Sequence, residues 1–139
     1  MKYQKFNDTF MVRLDKDEEI MQSLMSLCEK ENIRLAQVEA IGAIDHGVVG
    51  VYDMDQKAYL QETLDGIMEI TSLSGSITEM NDKPYLHLHA TLADQDHRIH
   101  GGHVIELRVG IICEMFVRVL SGQVTRERNE NLGINVWKM

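Results

Sequence analysis

The sequence predicts an α+β protein built mainly on an antiparallel β-sheet, with one principal α-helix near the N terminus. Apolar residues recur at three- and four-residue spacing in a single segment, from Ile20 to Cys28, as on a helix that packs one face on a sheet. Elsewhere, short apolar runs of strand length alternate with turn-forming residues. One early helix followed by closely spaced strands is typical of an antiparallel α+β domain.

The N-terminal third supports this prediction element by element. Residues 5–14 carry apolar side chains in a strand-like run. Asp15 then offers an N-cap, and Glu18 three residues later completes a pattern like a capping box. Lys30 and Asn32 suit the end of the helix that follows.

The remaining chain changes to strand-like patterns with turn signals between them. Asp65-Gly66 is a strong signal for a hairpin turn. The tail, residues 122–139, is charged and has only a few apolar anchors, so no element is predicted there. The predicted strands are residues 47–53, 58–64, 67–77 and 111–120, with a turn at 53–56 and a polar loop at 78–84.

Five of the six histidines fall between His87 and His103, which concentrates metal-ligand chemistry in one stretch. His87 and His89 stand at positions i and i+2. In a strand this spacing directs both side chains to one face, with Cα atoms about 7 Å apart. Both imidazoles can then reach one ion.

Whether His103 joins them depends on the register of the intervening hairpin. A polar break from Asp94 to Arg98 separates two apolar runs and predicts a turn. If the loop has three residues, Asp94 pairs with Arg98, and His89 lies opposite His103 on the same face. A two- or four-residue loop, or a bulge at Gly101-Gly102, places His103 on the other face.

Two interpretations of the three histidines stay open at this point. Three histidines with one open position resemble a catalytic zinc site more than a closed structural site with four protein ligands. The alternative is a hydrogen-bonded histidine cluster that only stabilises the fold. The other histidines, His46, His97 and His100, are interpreted as turn, loop or solvent residues.

Two acidic residues interrupt apolar strands, Glu69 and Glu114. A buried carboxylate is costly unless it is paired, metal-bound or protonated. One interpretation places both acids on the solvent face of a strand. The other makes Glu69 a partner of the metal site or a general base, and thus the candidate catalytic residue. Arg108 or Arg118 could pair with either acid.

Composition limits the possible functions. A chain of 139 residues suits one domain over residues 1–139, and 44% apolar content is ordinary for a globular protein. No apolar run approaches the length of a membrane span and no signal-peptide pattern is present, so we expect a cytoplasmic protein with Cys28 and Cys113 as free thiols. The net charge of −8 disfavours DNA binding by the isolated domain, since the only basic concentration is Arg126 and Arg128.

The motifs together resemble a known family. The order Gly66-x-x-Glu69-Ile70-x-Ser72-Leu73-Ser74-Gly75, His87-Leu88-His89 and Gly101-Gly102-His103 resembles the PPC (plants and prokaryotes conserved) domain over roughly residues 5 to 120. The resemblance implies a compact α+β domain that assembles as a homotrimer. It also implies that the histidines matching His87, His89 and His103 hold a metal in prokaryotic members.

The same resemblance bears on DNA. In plants this domain accompanies AT-hook motifs, short Arg-Gly-Arg-Pro segments, and no such segment occurs here. The fold also looks distantly similar to acetolactate decarboxylase, a zinc enzyme with a His-x-His pair and a later histidine. Fold-level analogy does not establish a reaction, so whether the protein is an enzyme stays open.

The leading prediction is a stand-alone prokaryotic PPC-type protein that binds zinc or another divalent metal at the three histidines, with a small anionic ligand as a possible partner. The alternative is a DNA-associated regulatory protein that acts through its trimer or a partner, without an AT-hook of its own.

Overall fold

The computed structural model describes residues 1–139 and contains one α-helix and eight β-strands. No helix is both long and apolar enough to span a membrane. The helix, α1, covers Ile20–Glu31. The strands are β1 (Lys2–Phe6), β2 (Thr9–Asp15), β3 (Ala36–Asp53), β4 (Ala58–Met80), β5 (Lys83–Ala93), β6 (Ile99–Val119), β7 (Thr125–Asn129) and β8 (Ile134–Lys138).

All eight strands belong to one sheet, which confirms the predicted α+β class. The sheet order is β1-β2-β6-β3-β4-β7-β8, and β5 pairs with both β4 and β6. Every pairing is antiparallel except the short contact of β4 with β7. Because β3 also pairs with both β4 and β6, the four long strands form a closed ring of pairings. The hairpin of β5 and β6 closes this ring and carries the histidine cluster.

Helix α1 packs its apolar stripe into the core as predicted. Ile20, Leu24, Leu27 and Cys28 are buried in a core cluster of 27 residues. Complete burial of one such side chain contributes about 1.5–3 kcal/mol. Cys113 of β6 lies in the same cluster, and both cysteines are free thiols.

The helix begins later than the sequence predicts. Its N-cap is Glu19, whose carboxylate accepts hydrogen bonds from the backbone N–H groups of Met21 and Gln22. Asp15 is not the cap, because its carboxylate pairs with Lys2 and Arg13 instead. Glu18 does accept from the Asp15 N–H, so only that half of the predicted pair is formed. The C-cap is Asn32 in the left-handed conformation, as expected.

Three strand predictions were wrong. Residues 5–14 are not one strand, because Asn7 has a φ of 54° and begins a tight turn between β1 and β2. Asp65-Gly66 is not a turn but a bulge within β4, where the pairing with β3 shifts register. The tail forms the β7–β8 hairpin, which was not predicted because this part of the sequence is charged and has few apolar residues.

The loop predicted at residues 78–84 is also shorter in the structure. Met80 pairs with Lys83, so only Asn81 and Asp82 form the turn. Both have positive φ, as a two-residue hairpin turn of the favoured hand requires. Strand β4 therefore continues to Met80 and brings Thr78 and Glu79 beside β7.

Candidate metal centre

The hairpin between β5 and β6 has the three-residue loop on which the site depends. The Asp94 N–H donates to the Arg98 carbonyl at 3.0 Å, and the Asp94 carboxylate accepts from the N–H groups of Asp96 and Arg98 at 2.9 Å. Ala93 pairs with Ile99, and His89 pairs with His103. The predicted register is therefore confirmed, and all three histidines share one face.

Two glycines allow β6 to enter this position between its neighbours. A Cβ atom on Gly101 would collide with the Ala90 carbonyl of β5, and one on Gly102 would lie 2.6 Å from the Gly50 carbonyl of β3. Only glycine permits such close backbone approach on both sides. The Gly-Gly pair therefore positions His103 where β6 meets both β5 and β3. The side chain of His103 stays on the same face of the sheet as those of His87 and His89.

The three imidazoles converge. Their ring centroids lie 5.2 to 5.5 Å apart, and one nitrogen from each ring lies within 4.8 Å of the others. A tetrahedral zinc with bonds of about 2.0–2.1 Å would hold these nitrogens roughly 3.4 Å apart, so small ring rotations suffice. His103 also stacks on Tyr59 of β4 at a centroid distance of 4.5 Å.

The protonation states suit a metal ligand, which must offer a neutral imidazole. Burial, with smaller contributions from His87, His89 and Arg126, lowers the pKa of His103 to about 4. The pKa of His87 is also lowered, first by burial and then by Arg126. The Nδ1 atom of His103 is buried without a hydrogen-bond partner. Buried polar atoms are rarely left unsatisfied, so this nitrogen fits the role of a ligand atom.

Arg126 of β7 belongs to the site, although sequence reasoning treated it only as part of a weak basic concentration. It is 8% exposed and donates to the Thr78 hydroxyl at 2.8 Å, the Asn135 carbonyl at 2.9 Å and His87 Nδ1 at 3.3 Å. Its guanidinium carbon lies 4.6 Å from the Tyr85 ring centroid. The sequence did not indicate that Arg126 is buried, because it lies in a charged tail for which the β7–β8 hairpin was not predicted.

A cavity of about 260 Å³ adjoins the cluster. Tyr59, Tyr85, His87 and His103 line it, together with residues of the C-terminal hairpin. Lys57, Arg126 and Arg128 also line it, whereas no aspartate or glutamate does. A cationic wall is notable in a protein of net charge −8 and favours an anionic occupant.

The structure does not bring the two singled-out acids to the cluster. Glu69 is exposed and pairs with Ala93, four residues along β5 from His89, or about 13 Å. Glu114 is exposed and pairs with Arg13 and Ile41. The suggested arginine partners were wrong: Arg108 pairs with Asp45, and Arg118 pairs with Asp8. The catalytic role of Glu69 stays a prediction.

Two of the remaining histidines lie in strands and not in loops. His46 lies beside the bulge of β3 and contacts the Asp65 carboxylate at 2.6 Å. His100 lies near the start of β6, 3.2 Å from Asp94 and 3.4 Å from Glu62. His97 is an exposed turn residue, as predicted.

Comparison with known proteins decides the family. The model of the Plants and Prokaryotes Conserved (PCC) domain matches residues 1–121. The chain belongs to this family. The resemblance predicted from the three motifs is thereby confirmed, and the PCC match ends before the β7–β8 hairpin that carries Arg126. No curated protein matches the chain.

Several solved structures share the whole architecture. A candidate DNA-binding protein from Bacteroides thetaiotaomicron is 30% identical with a TM-score of 0.95, covering 99% of this chain and 96% of that one. A protein from Archaeoglobus fulgidus described as metal-containing is 33% identical with a TM-score of 0.90, covering 100% of both chains. A PPC protein from Pyrococcus horikoshii, 24% identical, has a TM-score of 0.88 over 99% of this chain and 94% of its own, and shows the fold alone.

The predicted distant likeness to acetolactate decarboxylase is confirmed at the level of fold. The Bacillus subtilis enzyme is 12% identical with a TM-score of 0.55, and the match covers 88% of this chain and 57% of the enzyme. No reaction follows from likeness at this level.

Proposed function

We propose that this PCC-domain protein binds one divalent metal ion through His87, His89 and His103, with zinc as the first choice. The observation that carries the proposal is the convergence of three histidine nitrogens, one from each ring, within 4.8 Å. The Nδ1 atom of His103 is also buried without a hydrogen-bond partner. The metal-containing relative from Archaeoglobus fulgidus, 33% identical over its full length, supports the same proposal.

His87, His89 and His103 would hold the metal, and His87 and His103 also line the adjoining cavity. When bound, the metal would supply Lewis acidity or lower the pKa of a bound water toward ~7. The chain's own residues would orient a small anion, since Tyr59 and Tyr85 line the cavity and Arg126 is buried beside His87. Glu69 would take part in acid–base chemistry only if a substrate or a neighbouring subunit extends to it.

The test is metal content after purification without an affinity tag. We expect close to one equivalent of zinc, iron or manganese per chain in the wild type and loss of that metal in the His87→Ala/His89→Ala variant. The matched control is His46→Ala, which removes an imidazole that contacts Asp65 outside the cluster. Equal metal content in all three proteins would contradict the assignment.

We also propose that the protein self-associates, as the family resemblance to a homotrimer implies. The outer face of strands β1, β2, β6 and β3 carries four large apolar side chains that are about half exposed, among charged residues such as Arg13 and Glu114: Phe6 at 49%, Met11 at 48%, Ile41 at 59% and Phe116 at 51%. Contiguous exposed apolar residues mark interaction surfaces.

Light scattering coupled to size exclusion tests this assembly. A trimer should dissociate when Phe116→Asp introduces a charge at the centre of that face, whereas Val51→Asp, on an exposed position elsewhere in β3, should leave the mass unchanged. A monomeric wild type at micromolar concentration would overturn the proposal.

A DNA-associated role is the second candidate, because the relative from Bacteroides thetaiotaomicron is described as a DNA-binding candidate. The net charge of −8 opposes direct binding of phosphates, so such a role would act through assembly or a partner protein. A mobility shift at low salt that weakens steeply as salt rises would support direct binding. A cytoplasmic location remains our expectation, in keeping with two buried free thiols.

A further inference from the structure

The C-terminal hairpin places a buried cation against the histidine cluster without an anionic partner. All three hydrogen-bond acceptors of Arg126 are neutral: a hydroxyl, a backbone carbonyl and an imidazole nitrogen. The nearby buried acid, Glu79, is engaged by Gln123 at 2.7 Å and by Arg34 at 3.5 Å. A buried charge without a counter-charge costs stability, so an anion at this position would be favourable.

The contact between Arg126 and His87 cannot coexist with a neutral His87 bound to metal. A guanidinium only donates hydrogen bonds, so His87 Nδ1 must be the acceptor and its ring proton must lie on Nε2. A metal ligand needs a free electron pair. If Nδ1 provides it, Arg126 loses its acceptor. If Nε2 provides the electron pair, the ring proton must lie on Nδ1. The Nδ1–H group and the N–H group of Arg126 are then two donors facing each other, and neither can accept a hydrogen bond.

Either route therefore frees the Nη2 group of Arg126 when a metal binds. The freed group lies at the wall of the cavity, together with Lys57 and Arg128 and without any carboxylate. Its other two nitrogens stay fixed by Thr78 and Asn135, which hold the guanidinium in place. The cavity volume of about 260 Å³ and the Tyr59 and Tyr85 walls suit a small organic acid more than a large ligand.

We propose that metal loading opens a site for a small carboxylate anion at Arg126, so that metal and anion bind with positive cooperativity. This inference rests on the proposed metal function and adds the ligand class and the residue that recognises it. Arg126 lies beyond residues 1–121, the part that matches the PCC model, so the anion site is a property of this chain's C-terminal hairpin.

The experiment uses Co²⁺ as a spectroscopic metal and acetate as the probe, in the whole protein. Co²⁺ titration is followed by visible absorption without anion, with acetate and with sulfate. In the wild type we expect acetate to change the spectrum and to tighten Co²⁺ binding. By reciprocity, the protein should bind acetate more tightly when cobalt is present than when it is absent, by the same factor.

Arg126→Gln should weaken acetate binding to the cobalt-loaded protein by about tenfold or more, the effect of losing a charged hydrogen bond. Its Co²⁺ affinity without anion should not fall, because the competing contact to His87 is gone. Arg126→Lys, which keeps the charge, provides a second variant if glutamine disturbs folding. Arg118→Gln removes an exposed arginine paired with Asp8 and should behave as wild type.

The outcomes separate the two proposals. Normal Co²⁺ binding with no response to acetate, or a response in Arg126→Gln equal to that of the wild type, would overturn the anion site and leave the metal site intact. A response to sulfate alone would overturn the carboxylate assignment. Failure of the wild type to bind Co²⁺ at all would overturn the metal proposal itself, and the anion site with it.

Discussion

At the scale of single residues, the chemistry of the site follows from which side chains are buried together. The residue pattern predicted a common face for His87 and His89, and it placed His103 with them only if the hairpin loop has three residues, which is the loop that the structure contains. Arg126 could not be predicted in the same way. Arg126 is buried because the β7–β8 hairpin packs against residues far away in the sequence, such as His87. A local sequence pattern does not indicate such contacts.

Gly101 lies where the backbone of β6 approaches that of β5, and its substitution provides a prediction at this scale. Gly101→Ala should lower the free energy of unfolding by about 1–3 kcal/mol, since its Cβ would meet the Ala90 carbonyl and overpacking of this kind is not relieved by a flexible side chain. The variant should also weaken metal binding, because β6 carries His103.

Gly66→Ala is the matched control for that substitution. It also places alanine at a positive φ, 101°, but its Cβ meets nothing within 4 Å. Chemical denaturation of both variants separates backbone strain from the steric collision. Equal destabilisation of the two would show that the close approach of β6 to β5 is unimportant.

The two thiols give a second residue-scale prediction, on pH. Burial raises the pKa of both Cys28 and Cys113 to about 12, above the ordinary value near 9.0. The folded state therefore favours the neutral thiol. This contribution to stability is complete below the unfolded pKa and is lost as pH rises from about 9 toward 12.

Thiol labelling checks the burial on which that prediction depends, and denaturant unfolding at pH 8 and pH 11 checks the loss of stability. A disulfide reagent at pH 8 should modify neither cysteine in the native protein and both after unfolding in guanidinium. Rapid labelling of either thiol in the native state would contradict its burial in the core.

At the scale of secondary-structure elements, prediction succeeded where a segment shows one clear apolar periodicity. It failed where pairing with a distant strand determines the local structure. The apolar stripe of α1 and a hairpin turn between Asp94 and Arg98 were both predicted correctly, and the three-residue loop found there is one of the alternatives that the sequence left open. Asp65-Gly66 looked like a turn, yet pairing with β3 draws it into a continuous strand as a bulge. The Asn7-Asp8 turn was hidden because apolar residues lie on both sides of it.

Helix α1 gives the prediction at this scale. Leu24→Ala should destabilise the protein by about 2–5 kcal/mol, since Leu24 is 1% exposed in the core that supports β5 and β6. Gln22→Ala, on the exposed face of the same helix, should change stability by less than about 0.5 kcal/mol. Thermal unfolding of the two variants measures the difference, and similar midpoints would contradict the packing described here.

At the scale of the whole molecule, an acidic protein encloses a cationic cavity. The chain has a net charge of −8, whereas Lys57, Arg126 and Arg128 line the cavity beside the histidine cluster. This distribution of charge favours the proposed small-ligand site over a nucleic-acid surface.

The most direct measurement is anomalous diffraction from crystals grown with zinc and recorded on both sides of the zinc absorption edge. We expect one strong peak per chain, bonded to a nitrogen of His87, His89 and His103 at about 2.0–2.1 Å. A peak at other residues, or none at the cluster when zinc is saturating, would contradict the central claim that these three histidines form a metal centre.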